Sequence, residues 1–189
     1  MRLQAFGSTR PRRGETISGD AYLISYGEAP LLVVADGLGH GEHAAIAAQV
    51  MVAVASEAAP ADSPLDILHE ASGRLAATRG AVAMVARLTA DNSRLCVAGV
   101  GNIELRALSR ASIHPISSPG ILGRRIRSIR QFEYDLHSGD LLVFFSDGIS
   151  RRLDLQPFRS LSLEEVVLGA LSEHGQQHDD ATCLAARVD

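Results

Sequence analysis

AYLISYGEAPLLVVADG, residues 21–37, decides the architecture. Two short β-like runs, AYLISY (21–26) and LLVVA (31–35), flank Gly27-Glu28-Ala29-Pro30, a turn composition that joins strands into a hairpin. Asp20 stands just before the first run and Asp36 just after the second. In an antiparallel pair the end of one strand lies beside the start of the other, so the hairpin alone brings these two carboxylates close.

Working outward, the same phrase returns at LLVFFSDG (141–148): an apolar run, a small residue, then Asp147-Gly148. Asp179-Asp180 precedes the closing run ATCLAARV (181–188), in the position that Asp20 holds before the first run. Each acid alone is an ordinary turn residue. At strand ends of matching polarity, Asp20, Asp36, Asp147 and Asp179 would instead cluster at one edge of a core. Clustered carboxylates repel one another unless cations neutralise them or their pKa values rise. Oxygen donors without a nearby Cys favour hard ions, Mg²⁺ or Mn²⁺ rather than zinc. Two such ions about 3.5 to 4 Å apart lower the pKa of a bridging water and polarise a phosphoryl oxygen, which is the chemistry of phosphate hydrolysis.

The rest of the chain fills in an α+β pattern. A helix over about Glu42 to Ala58, apolar on nearly all sides, must be covered. A second fits 64–77, with Ser63 as N-cap and Pro64 at the first position, and a last one fits 163–174, where Ser162 and Glu165 have capping-box spacing and Gly175 marks the stop. Between them AVAMVARL (81–88), RLCVAGV (94–100), IELRALS (103–109), the stretch around Ile126 to Leu136, and 141–146 read as successive strands of an antiparallel meander. The leading MRLQAFGSTRPRR reads as a solvated basic arm.

Composition narrows the function classes. The 189 residues, 46% hydrophobic, suffice for one core, and no linker-like stretch divides them, so residues 1–189 are expected to form a single domain. The apolar stretch 44–56 is shorter than the roughly 18 to 20 residues that span a bilayer, and no apolar segment follows the first arginines, so a cytoplasmic protein without a membrane anchor is expected. A net charge of −4 gives no field for nucleic acid. All 18 basic side chains are Arg, which excludes a P-loop lysine. Cys96 and Cys183 lie in strand-like runs and are expected to be buried thiols in a reducing compartment. The segment after LLVVA has Gly37, Gly39 and Gly41, but this G-x-G-x-G spacing, with Asp36 to repel a pyrophosphate, does not make a dinucleotide fingerprint.

With these residues in view, the sequence resembles the PPM family of metal-dependent serine/threonine protein phosphatases, in its short bacterial SpoIIE/RsbX-like branch. The pieces that carry the resemblance are SGDAYL (18–23), VVADGLGHGEHAA (33–45), RGAVAMV (79–85), GVGN (99–102), GDLLVFFSDGIS (139–150) and HDDATCLAARV (178–188), in the family's order. The resemblance implies a four-layer α-β-β-α sandwich of two antiparallel sheets, with two Mn²⁺ or Mg²⁺ ions at one end. It implies that Asp36 bridges the ions, that Asp20 and the Gly37 carbonyl serve one, and that Asp147 and Asp179 serve the other, with a water between the ions as the attacking group. Asp180 would support these ligands by hydrogen bonding.

Larger relatives carry a phosphate-binding Arg just before the first acid, where Glu15 and Thr16 stand here, and Arg10, Arg12 and Arg13 lie further upstream. His40 falls two residues beyond the place of the family's general acid; it and His178 are candidates for proton transfer or for loop support. By the same resemblance, the substrate is a phosphorylated regulatory protein, a STAS-domain protein of a stress-signalling complex. The alternative is an inactive binding module of the same fold. Arg151 and Arg152, following SDGIS, are candidates for docking an acidic phosphoprotein, with Arg124, Arg125, Arg127 and Arg130 in a second basic group.

Overall fold

Along β3 (Leu31–Gly37) successive side chains point to opposite faces, and both faces are covered. Leu31, Val33 and Ala35 join a core with α1 (Glu42–Glu57) and α2 (Pro64–Arg74), while Leu32 and Val34 join a second core with Phe144 and Leu184. A strand buried on both sides reads as an unbroken apolar run, which is why LLVVA shows no polar alternation. The run LLVFF of β8 (Leu141–Phe145) behaves alike: Leu142 and Phe144 face the inter-sheet core, and Leu141, Val143 and Phe145 pack under α3 (Leu163–Glu173). Leu32 and Phe144 are both 0% exposed, and full burial of such a side chain contributes about 1.5 to 3 kcal/mol. The computed structural model, which describes residues 1–124 and 126–189, is therefore the expected four-layer α-β-β-α sandwich.

One sheet has five strands in the order β2 (Asp20–Ser25), β3, β4 (Ala81–Leu88), β5 (Arg94–Val100), β7 (Gln131–Asp135). The other has four, in the order β1 (Leu3–Arg10), β9 (Ala181–Val188), β8, β6 (Glu104–Leu108). All pairings in both are antiparallel. Among the described residues no helix is long and apolar enough to cross a membrane. The N-cap expected at Ser63 and the capping box expected at Ser162 and Glu165 are both formed, and Asp66 completes a capping box at Ser63 as well.

Four expectations are corrected. Residues 3–10 are not a solvated arm but the edge strand β1, paired along its length with β9. Its half-exposed, polar-rich run LQAFGSTR covers only one face, so it lacks the apolar signal of the central strands. Residues 81–146 do not form one meander. After Gly101-Asn102 the chain crosses to the four-stranded sheet, where β6 pairs with β8, and it returns through residues 109–130 to pair β7 with β5. The expected strand over Ile126–Leu136 shrinks to Gln131–Asp135, because Ile126 and Ile129 pack against the helix-side core instead of joining the ladder. Cys183 is buried as expected, whereas Cys96 is only half-buried. Of the second basic group, Arg125 lies outside the described residues.

Candidate metal centre

The hairpin register sets the first two acids: Asp20 pairs directly with Asp36 across β2 and β3. In the facing sheet Phe145 pairs with Cys183, and beyond that pair the Ser146 N–H donates to the Thr182 carbonyl at 3.1 Å. The chain segments carrying Asp147 and Asp179 therefore leave the same end of the β8/β9 pair. Both sheets present this end side by side, so all of these acids stand at one end of the sandwich.

Two glycines allow the close approach. A Cβ on Gly37 would lie 1.9 Å from the Ala44 carbonyl oxygen in the first turn of α1, and one on Gly148 would lie 1.8 Å from the Asp180 carbonyl oxygen. Each Asp-Gly is thus fixed by backbone packed where only hydrogen fits.

Hydrogen bonds across the sheets then orient the carboxylates. The Ser146 hydroxyl donates to Asp20 Oδ2 at 2.6 Å, and the Thr182 N–H donates to Ser146 Oγ at 3.0 Å. Asp180 accepts from the Arg12 N–H at 2.9 Å through Oδ1 and from the Gly19 N–H at 3.0 Å through Oδ2. Both its oxygens are engaged in tying the β1–β2 connection to β9. Asp147 Oδ2 accepts from Asn102 Nδ2 at 2.6 Å, and the Asp147 carbonyl accepts from Gln176 Nε2 at 3.0 Å. Asp179 Oδ1 accepts from the Asp180 N–H at 3.0 Å. The Asp36 carboxylate accepts no hydrogen bond from the described residues.

The electrostatics follow from this packing. Burial, with the charges of Asp20, Asp147, Asp179 and Asp180 added, pushes the Asp36 carboxyl up to about 9. Burial also pushes Asp20 up to about 7, against the hydrogen bonds from Ser146 and Thr182 that favour its charged form. Asp147 is raised by burial first and by Asp179 second, and Arg151 opposes this. An oxygen-only cluster that resists ionisation without a counter-charge fits a hard divalent cation. Among the described residues no three acidic, His or Cys side chains converge on one point.

The remaining candidates surround the acids unevenly. His40 is exposed and its Nδ1 lies 3.0 Å from Glu15 Oε1, so the residue in place of the expected arginine is paired with the loop after Asp36. His178 is exposed. The Arg10 guanidinium donates to the Pro11 and Gln176 carbonyls. Arg151 Nε pairs with Glu104 Oε1 at 2.9 Å, while the Arg152 side chain is exposed and makes no hydrogen bond among the described residues.

Sequence reading missed Ser146, Asn102, Gln176 and Arg106. The last donates to the carbonyls of Arg151 and Leu153, lies 5.4 Å from the Phe145 ring centroid and pairs with Glu104 at 3.1 Å, so it holds the loop that follows Asp147. GVGN was the one signal available for Asn102. The cavity of about 880 Å³ beside α3, lined by Arg10, Glu165 and Leu168 among others, includes none of Asp20, Asp36, Asp147 and Asp179. A smaller one of about 350 Å³ opens beside Asn102 and reaches Glu104, Ile116 and Arg151.

The family model for stage II sporulation protein E (SpoIIE) matches residues 27–189. A structure from work on the bacterial stressosome, described as a modular system adapted to control secondary messenger signalling, superposes with a TM-score of 0.92 at 32% identity, covering 99% of this chain and 100% of the other. RsbX in complex with magnesium superposes with a TM-score of 0.87 at 18% identity, covering 99% and 96%. The Mycobacterium tuberculosis serine/threonine phosphatase PstP/Ppp gives 0.76 at 15%, covering 99% of both chains. The latter two show the shared fold. No curated protein sequence matches the chain.

Proposed function

This chain belongs to the SpoIIE family, and from that premise we propose that it is a metal-dependent serine/threonine protein phosphatase of the PPM type. The observation that carries the proposal is the placement of Asp20, Asp36, Asp147 and Asp179 at one end of the sandwich, where burial opposes the ionisation of Asp20, Asp36 and Asp147. Asp36, opposite Asp20 and with a carboxylate that accepts no hydrogen bond among the described residues, would be the residue shared by two ions. Asp20 and the Gly37 carbonyl would complete one Mn²⁺ or Mg²⁺ site, and Asp147 with Asp179 the other. Bound there, two divalent ions supply an activated water and polarise the phosphoryl group of a phosphoserine or phosphothreonine.

The protein's own residues orient that chemistry. Ser146 fixes the Asp20 carboxylate, and Asp180 pins the β1–β2 connection so that Asp20 keeps its place opposite Asp36. Gly37 and Gly148 hold the acid-bearing turns against the backbone of neighbouring elements. Neither cysteine takes part: Cys96 pairs with Glu133 in a ladder position away from the acids, and Cys183 is buried inside β9.

The partner is a phosphorylated regulatory protein, and a STAS-domain protein of a stress-signalling complex is the reading favoured by the similarity to the stressosome-associated structure. Hydrolysis of an aryl phosphate by the purified protein tests the activity. It should stop with EDTA, return with Mn²⁺ or Mg²⁺, and survive thiol reagents. Full activity in chelator, or inactivation by a thiol reagent alone, would overturn the proposal.

A further inference from the structure

Asn102 stands in the crossover between β5 and β6, next to Gly101 at φ +95°, which turns the chain from one sheet to the other. Its side chain has two ends with different fates. Nδ2 donates to Asp147 Oδ2 at 2.6 Å, whereas Oδ1 is buried and has no hydrogen-bond partner among the described residues. The amide cannot relieve this by turning over, because Oδ1 would then face the Asp147 carboxylate and two acceptors would meet. Nδ2 and Oδ1 share one carbon, so the orphan oxygen is held beside Asp147.

A buried acceptor left without a donor is unfavourable and rare in folded proteins, and such an atom calls for water or a ligand that brings a donor. We propose that Asn102 is a positioning residue of the metal centre. Its N–H holds one oxygen of Asp147 so that the other is left to a cation, and its Oδ1 accepts a hydrogen bond from a water that the cation carries. The inference rests on the reading of the acids as a metal centre.

An amide suits this position better than a carboxylate. It donates to Asp147 without adding a further negative charge to a cluster in which Asp36, Asp20 and Asp147 already resist ionisation. Partners that orient metal ligands typically change metal affinity about ten- to a hundredfold when removed.

Mn²⁺ binding to the full chain, followed by the electron paramagnetic resonance signal of the free ion, provides the test. Asn102→Ala should weaken the affinity of at least one site about tenfold or more. Asn102→Asp, of the same shape, guards against a misfolded alanine variant. It should melt lower than the wild type without metal and gain more thermal stability on Mn²⁺ addition, because the added carboxylate is repelled when the site is empty and neutralised when it is filled. Affinity of Asn102→Ala within about twofold of the wild type, or an Mn²⁺-induced Tm rise in Asn102→Asp no larger than the wild type's, would overturn the inference. If the wild-type chain itself bound no Mn²⁺, the metal-centre reading would fall, and this inference with it.

Discussion

At Asp36, burial and four neighbouring carboxylates push the carboxyl from its ordinary 3.8 up to about 9, and at Asp20 burial raises it to about 7. Between the ordinary and the raised values, the folded metal-free protein keeps protons that the unfolded chain releases. Stability then falls as pH rises, since the folded state binds more protons than the unfolded one across that window. Metal-free protein should therefore melt at progressively lower temperature from about pH 5 to about pH 9. Asp36→Asn should flatten this slope and raise Tm in EDTA, as shown by thermal scans at several pH values. A rising or level Tm in the wild type across the same range would contradict the electrostatic account. At this scale the acids were legible because each stands at the end of an apolar run. Asn102, Ser146 and Arg106 were not, because each finds its partners far along the chain: Asn102 meets Asp147 45 positions away, Ser146 meets Asp20 126 positions away, and Arg106 holds carbonyls 45 and 47 positions away.

Among the elements, the loop after β8 depends on one side chain. Arg106 of β6 holds the Arg151 and Leu153 carbonyls and lies over Phe145, so it ties the segment that leaves Asp147 to the neighbouring strand. Arg106→Ala should cost about 1 to 3 kcal/mol in stability through these lost charged hydrogen bonds and speed amide exchange over 148–153. Unchanged exchange in that loop would show that other contacts hold it. Central strands and capped helices could be read from sequence, since burial on both faces and Ser-x-x-Asp or Ser-x-x-Glu spacing leave local marks. β1 could not, because an edge strand covered on one face carries a mixed, polar pattern. Nor could the crossing of β6 into the second sheet be read, because a turn at Gly101-Asn102 has the same local chemistry whether it closes a hairpin or bridges two sheets.

Over the whole molecule, the chain has an acidic mouth with arginines near it, and the formal charge of −4 leaves partner recognition to such local patches. Arg151 is paired with Glu104, so the exposed Arg152 carries more of any attraction for an acidic phosphoprotein. Arg151→Ala combined with Arg152→Ala should lower kcat/KM for a phosphoprotein, chiefly at low ionic strength, and hardly alter aryl phosphate hydrolysis. Equal losses on both substrates would place these arginines within the catalytic centre instead. The four-layer arrangement itself was foreseen through resemblance, because long-range strand order is not encoded in any single window of sequence.

The most direct measurement is a titration of Mn²⁺ into metal-free protein with bound ion and aryl phosphate turnover followed together, for the wild type and for Asp36→Asn. Turnover should appear only as ions bind, reach its maximum near two per chain, and fall at least about a thousandfold in an Asp36→Asn protein that keeps the wild-type circular dichroism. Turnover that proceeds without bound metal, or that persists undiminished in folded Asp36→Asn, would contradict the account.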